Sequence, residues 1–153
     1  MSEPLTPGDE SQNLFERAGG LPAIHELVDR FYTTVLADPL LSPLFGVGSP
    51  THVDHLTAWM AEVLGGPTRY SDELGGFPTL LHAHRGLRIR KEQADRFADL
   101  FMTAVDGTGL GRDAHLRERL DAYVAFGVEV AVQNSYASAE TDLHPCQVVP
   151  RWT

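Results

Sequence analysis

The amino-acid sequence predicts an all-α fold. In four long windows apolar residues recur at three- and four-residue steps, and glycine and proline clusters close each window. No segment alternates apolar and polar residues between hairpin signals, and no repeat of solenoid length is present.

Residues 1–12 carry Pro, Gly, Ser and acids without apolar periodicity and read as a leader. Ser11 is the expected cap of a short helix through Leu14 and Phe15, stopped by Gly19 and Gly20. Pro22 suits a first helical turn, and Ile24, Leu27, Val28, Phe31, Tyr32, Val35 and Leu36 then mark one buried face. Between Asp38 and Pro50, Pro39, Pro43, Gly46 and Gly48 leave room for no more than a short turn carrying Leu40, Leu41, Leu44 and Phe45. Ser49 or Thr51 caps a third helix with Val53, Leu56, Trp59, Met60, Val63 and Leu64 on its apolar side, ended by Gly65, Gly66 and Pro67. The segment from Pro67 to Pro78 reads as a loop, followed by a brief helical stretch from Thr79 to Arg85 that stops at Gly86. A fourth long helix from about Lys91 to Val105 turns Ala94, Phe97, Ala98, Phe101 and Met102 inward, before Gly107, Gly109 and Gly111. A fifth starts near Asp113, carries Leu116, Leu120, Tyr123, Val124 and Val130, and ends near Tyr136; residues 137–153 read as an extended tail.

The 153 residues suit one domain with one core. Hydrophobic residues at 42% and charged residues at 22% are those of a folded globular chain. A formal charge of −9 repels phosphate backbones and anionic headgroups, which argues against nucleic acid and membrane surfaces as partners. The most apolar window, 122–132, is interrupted by Glu129 and falls short of the roughly 20 residues that span a bilayer. A single cysteine, Cys146, excludes an internal disulfide, and the polar, acidic start lacks a secretory pattern, so a cytoplasmic location is expected.

Seven histidines invite a metal or cofactor reading. His52 and His55 share a helix face and permit a zinc pair, yet no H-E-x-x-H or C-x-x-C pattern completes such a site. His82 and His84, two apart, point to different faces of a regular helix.

Several fragments in order are more specific: A-G-G at Ala18 to Gly20, D-R-F-Y at Asp29 to Tyr32, D-P-L-L-S-P-L-F at Asp38 to Phe45, G-G-P at Gly65 to Pro67 followed by Tyr70, and F-P-T-L-L-H-A-H at Phe77 to His84. Together they make the chain resemble the truncated haemoglobins, most closely group II, over Leu14 to about Tyr136. The resemblance implies a globin-like two-over-two helical sandwich as a haem domain over residues 13–136, flanked by the leader and by a C-terminal extension longer than the family's norm. It implies haem b, iron protoporphyrin IX, with His84 as the protein ligand to iron and His82 as the alternative. A neutral imidazole is a good axial ligand, and a short helix bounded by Gly75, Gly76 and Gly86 sets it close to the ring plane.

On the opposite side Tyr32 matches the family's distal tyrosine and His52 the residue that gates the pocket. A phenol O–H aimed at bound dioxygen makes a charge-assisted hydrogen bond and slows ligand loss. Phe45 matches the aromatic that packs flat on the ring. Leu56, Trp59, Met60, Leu81, Ile89, Phe97 and Val124 are expected as apolar walls, and His55, Arg69 and Tyr70 as partners of the propionates. Two positions depart from the family. Phe97 stands where group II proteins usually place a tryptophan, which removes an N–H donor, and Ala83 replaces the usual basic residue before the proximal histidine.

The implied function is binding of dioxygen, nitric oxide and carbon monoxide, with oxygen transport or conversion of dioxygen and nitric oxide to nitrate as the leading activities, served by a reductase. Peroxidase-like chemistry, a biosynthetic haem enzyme using an organic substrate, and a gas sensor are the alternatives, and the chain is expected as a monomer or a homodimer.

Overall fold

The computed structural model of the chain describes residues 13–45, 50–74 and 88–135. Among them are seven α-helices and no strand: α1 (Leu14–Ala18), α2 (Leu21–Ala37), α3 (Ser42–Phe45), α4 (Pro50–Val63), α5 (Arg69–Glu73), α6 (Lys91–Gly107) and α7 (Ala114–Ser135), with a 3-10 turn over Gly109–Arg112. The leader with Ser11, the stretch from Thr79 to Arg85 and the tail 137–153 lie outside the described residues.

α2 buries the face its periodicity marks: Ile24, Leu27, Val28 and Val35 are fully enclosed and Phe31 nearly so. It ends where Asp38 precedes Pro39, because a residue before proline is driven out of the helical region, and Asp38 is extended (φ −87°, ψ 120°). α4 runs back along α2, bringing its N-terminal turn to the C-terminal half of α2 and its C-terminal half to the α2 N-terminus. α6 also runs against α2, with Phe97 and Phe101 edge-on to Phe31 at 4.8 and 5.4 Å. α7 folds back on α6 after the 3-10 turn, and the Trp59 indole N–H of α4 donates to the Tyr123 hydroxyl of α7 at 2.8 Å. One pair, α2 and α4, is thus layered on the other, α6 and α7. Phe31, Met60, Phe101, Leu116 and Leu120 fill the middle, each adding about 2 kcal/mol by leaving water.

Three local devices lock this frame. Asn13, not Ser11, caps α1: its Oδ1 accepts from the Glu16 amide at 2.8 Å, and Glu16 returns a bond to the Asn13 amide. α1 then docks on the end of α4, with the Phe15 amide donating to Leu64 O and Asn13 Nδ2 to Gly65 O. Gly66 is required by that docking, since a Cβ there would sit 2.5 Å from the Phe15 ring. α5 lies in the segment read as a loop. Its first turn is held by the buried Glu62 carboxylate, which accepts from the Ser71 amide at 2.9 Å and from the Ser71 hydroxyl. The third device, Asp113, caps α7 by accepting from the Leu116 amide at 3.1 Å and pairs with Arg17 of α1.

Candidate functional site

The short helix α3 is positioned by Asp38. This buried carboxylate accepts from the Leu40 and Leu41 amides through Oδ1 and from Arg96 Nε of α6, at 2.7 Å, through Oδ2. The hydrogen bond from Arg96 is the main reason the Asp38 carboxyl titrates below its ordinary range, with the two amides adding to it against the opposing effect of burial. Gln93 of α6 donates to Leu40 O at 3.2 Å and ties down the same turn. The start of the chain after α2 is therefore fastened to α6, and α3 carries Phe45 to the side of Tyr32.

There the Phe45 ring stands edge-on to Tyr32, centroids 5.9 Å apart, and 6.4 Å from the His52 ring. The Tyr32 hydroxyl and His52 Nδ1 hydrogen-bond each other across the α2–α4 crossing. Tyr32 is buried, whereas His52, in the first turn of α4, is exposed. Leu56, one turn beyond His52, is half-buried, as are Leu44, Phe45 and Val53. One face therefore carries two hydrogen-bonding groups within a partly uncovered apolar wall.

The remaining expected site residues fall into three groups. Met60, Ile89 and Val124 are buried, and Phe97 is half-buried against Phe31. Trp59 is buried between Tyr123, its hydrogen-bond acceptor, and Tyr70, whose ring stands edge-on at 5.2 Å. Burial pushes the Tyr70 and Tyr123 hydroxyls up, so both stay protonated across the physiological range. Arg69 is exposed, and its guanidinium engages both carboxylate oxygens of Asp54 at 3.0 Å and Glu73 at 3.2 Å; this pairing holds the Asp54 carboxyl below its usual range. His55 is exposed. Leu81, His82 and His84 lie outside the described residues. Glu62 and Asp38 are structural partners that the sequence pattern did not single out, and the pattern placed Tyr123 on an apolar stripe without showing its bond to Trp59.

The sequence model of the bacterial-like globin family matches residues 13–133. The group 2 truncated haemoglobin of Bacillus subtilis is 32% identical over 111 residues, covering 72% of this chain and 82% of that protein. The chain belongs to the truncated haemoglobins.

Solved structures agree with that assignment. The group II truncated haemoglobin of Bacillus anthracis superposes with a TM-score of 0.73 at 29% identity, over 84% of this globin and 97% of that chain. The truncated oxygen-avid haemoglobin of Bacillus subtilis gives 0.70 at 28% identity, over 79% and 99%. The two layered helix pairs are the globin-like two-over-two sandwich, and membership of the family implies haem-based gas binding. The described residues fit such a group on one side. Phe45, Val53 and Leu56 offer half-buried apolar surface to a large flat apolar ring, and Tyr32 and His52 offer polar hydrogens beside it. Among the described residues no helix is long and apolar enough to cross a membrane.

Proposed function

We propose that this globin binds haem b through His84 and holds dioxygen on the side where Tyr32 and His52 meet. What supports this assignment above all is the hydrogen bond between these two side chains beside the Phe45 ring. With His52 Nδ1–H donating to the Tyr32 oxygen, the pair is pre-set so that the Tyr32 O–H is the donor offered to a bound gas. Haem supplies the iron at which a diatomic gas binds.

Tyr32 sits on the central stretch of α2, enclosed by core, so its hydroxyl is held in one place and donates without reorganising. His52 is exposed on the first turn of α4, so its imidazole keeps Tyr32 oriented in one rotamer and opens a path to solvent in another. Leu56, Phe45 and Phe97 exclude water from the same side. With Phe97 in the position for which the family's tryptophan is expected, the donors on this side reduce to Tyr32 and His52. The leading reaction is the conversion of nitric oxide and dioxygen, with one electron, to nitrate. The electron comes from a cytoplasmic reductase, which the globin meets as a monomer or homodimer.

Absorption spectra and gas kinetics test this. Protein loaded with haem is expected to show an intense Soret band that His84→Ala shifts or abolishes. Tyr32→Phe is expected to speed dioxygen release by about 10- to 100-fold, the equivalent of one charge-assisted hydrogen bond, and His52→Ala by less. An unchanged Soret band in His84→Ala, or an unchanged off-rate in Tyr32→Phe, refutes the corresponding role.

A further inference from the structure

α7 carries a glycine for which its own chain gives no reason. Gly127 lies seven residues after Leu120 and eleven after Leu116, within about 20° of both around the helix, so it belongs to the stripe that those two fully buried leucines mark. A glycine inside a helix weakens it relative to alanine, and packing explains one only where a neighbour comes too close for a side chain. Gly66 meets that condition, with a Cβ 2.5 Å from the Phe15 ring. Gly127 does not. It is half-buried, yet among the described residues no atom beyond its chain neighbours and its own helix backbone comes within 4 Å of where a Cβ would stand.

We infer that Gly127 is where the haem seats against α7, the missing side chain giving an apolar part of the porphyrin room to reach the helix backbone. This rests on the haem-binding reading above and adds to it a contact from the second helix pair.

The surroundings fit that occupant. α6 and α7 run in opposite directions, and the Tyr123 and Phe101 rings meet with centroids 6.5 Å apart, so Gly127 and Phe97, one turn farther on, stand at matching heights. Over Leu116, Leu120, Tyr123, Phe101 and Val105 the pair is enclosed, whereas at Phe97, Ala98, Gly127 and Ala131 the cover is partial. Phe97 turns its ring edge-on to Phe31 at 4.8 Å, and Phe31 directly precedes Tyr32, so the opening adjoins the wall that carries Tyr32 and His52.

The chemistry of the opening is apolar throughout. Val124, Val130 and Ala131 flank Gly127 on the stripe, and Glu129, the one charge in residues 122–132, lies about 160° around the helix from it. A charged body would lose its hydration there without gaining a partner. The porphyrin of haem is a large flat apolar body, and it is the group that membership of the globin family implies.

Haem-loaded protein tests the inference through haem retention and NMR. Loss of haem to an excess of a tighter haem-binding acceptor protein, followed at the Soret band, is expected to be about threefold faster in Gly127→Ala and about tenfold faster in Gly127→Leu, as the new side chain meets the ring. Alanine is the better helix former, so a purely structural role for Gly127 predicts slower loss in Gly127→Ala, the opposite sign. Ala125→Leu, on the exposed side of the same turn, should leave the rate unchanged. In the wild-type carbon monoxide complex the Gly127 α-protons should be shifted by the porphyrin ring current, and those of the exposed Gly109 should not. Wild-type rates in both Gly127 variants, slower loss in Gly127→Ala, equal acceleration by Ala125→Leu, or unshifted Gly127 α-protons overturns the inference and leaves haem binding standing. Wild-type protein that takes up no haem overturns the inference together with the reading beneath it.

Discussion

Replacing Asp113 by alanine breaks two contacts at once, and their sum can be worked out in advance. Asp113 caps α7 through the Leu116 amide, and loss of such a cap costs about 1 kcal/mol. It also takes both Arg17 Nε (3.1 Å) and Nη2 (2.8 Å), a two-pronged pair in which the Arg17 side chain is 4% exposed and that of Asp113 18%. Removing one member of a buried pair costs about 3 kcal/mol or more, because the other charge is left in low dielectric. Arg17 keeps further contacts, so the lower figure applies, and with the cap the combined loss for Asp113→Ala is about 4 kcal/mol. Asn at this position retains the cap and loses the charge, so Asp113→Asn should cost about 1 kcal/mol less than alanine. In urea, read by far-UV circular dichroism on haem-saturated protein, about 4 kcal/mol lowers the midpoint by about 2 M at an ordinary slope. The pH dependence supplies the second check. The Asp113 carboxyl lies below its usual value, chiefly through the Arg17 hydrogen bond and secondarily through the amides of Leu116 and His115 against the cost of burial. A depressed carboxylate stabilises the fold above its unfolded value, near pH 4, and the contribution fades as pH falls through the folded value. The gap between wild type and Asp113→Asn should therefore be flat at neutral pH and narrow below about pH 4. A loss under about 0.5 kcal/mol for alanine, or a gap that stays constant into acid, refutes this account of how α1 is fastened to α7.

Two further outcomes follow from packing. A double-mutant cycle on Trp59→Phe and Tyr123→Phe should return a coupling of about 1 kcal/mol in urea unfolding, the net value of one buried hydrogen bond; independence of the two effects would show that the 2.8 Å contact contributes nothing. Gly66→Ala should destabilise by about 1 to 3 kcal/mol, because its new methyl meets the Phe15 ring, and Phe15→Leu in the same chain should recover part of the loss; full stability of the single variant would contradict the close approach.

The long helices were legible in the sequence because their stripes are one-dimensional. The inward residues of α2 sit at helical steps, and the structure buries Ile24, Leu27, Val28, Phe31, Tyr32 and Val35 as that period requires. Of the short elements α1 was legible, because Gly19 and Gly20 mark its end, whereas α5 was not. A five-residue helix cannot stand on propensity, so α5 exists because Glu62, nine positions earlier and on another helix, reaches its first turn. Asn13 outcompetes Ser11 as a cap because Glu16 lies three residues after it and Gly65 accepts its amide from across the fold. The Asn13-to-Glu16 spacing is a local capping signal, but nothing in the local pattern near Arg69 or Asn13 points to Glu62 or to Gly65.

The same distinction separates what periodicity and resemblance each say about the site. Period 3.6 puts Tyr32 on the buried face of α2 and leaves its role undecided, since a core tyrosine and a ligand-binding tyrosine share that address. Its partner His52 is twenty residues away on a helix that crosses back over α2, and their meeting depends on the length and shape of the turn between them. That turn is set by Asp38, whose carboxylate ties Leu40, Leu41 and Arg96 into one knot and thereby fixes where α3 places Phe45. Asp38 precedes a proline and opens the fragment D-P-L-L-S-P-L-F, so the residues that made the chain look like a truncated haemoglobin are here those that build the corner. The Tyr32–His52–Phe45 grouping is a consequence of corner geometry: an Asp38→Ala chain keeps every site residue and should still lose the alignment of Phe45 with Tyr32.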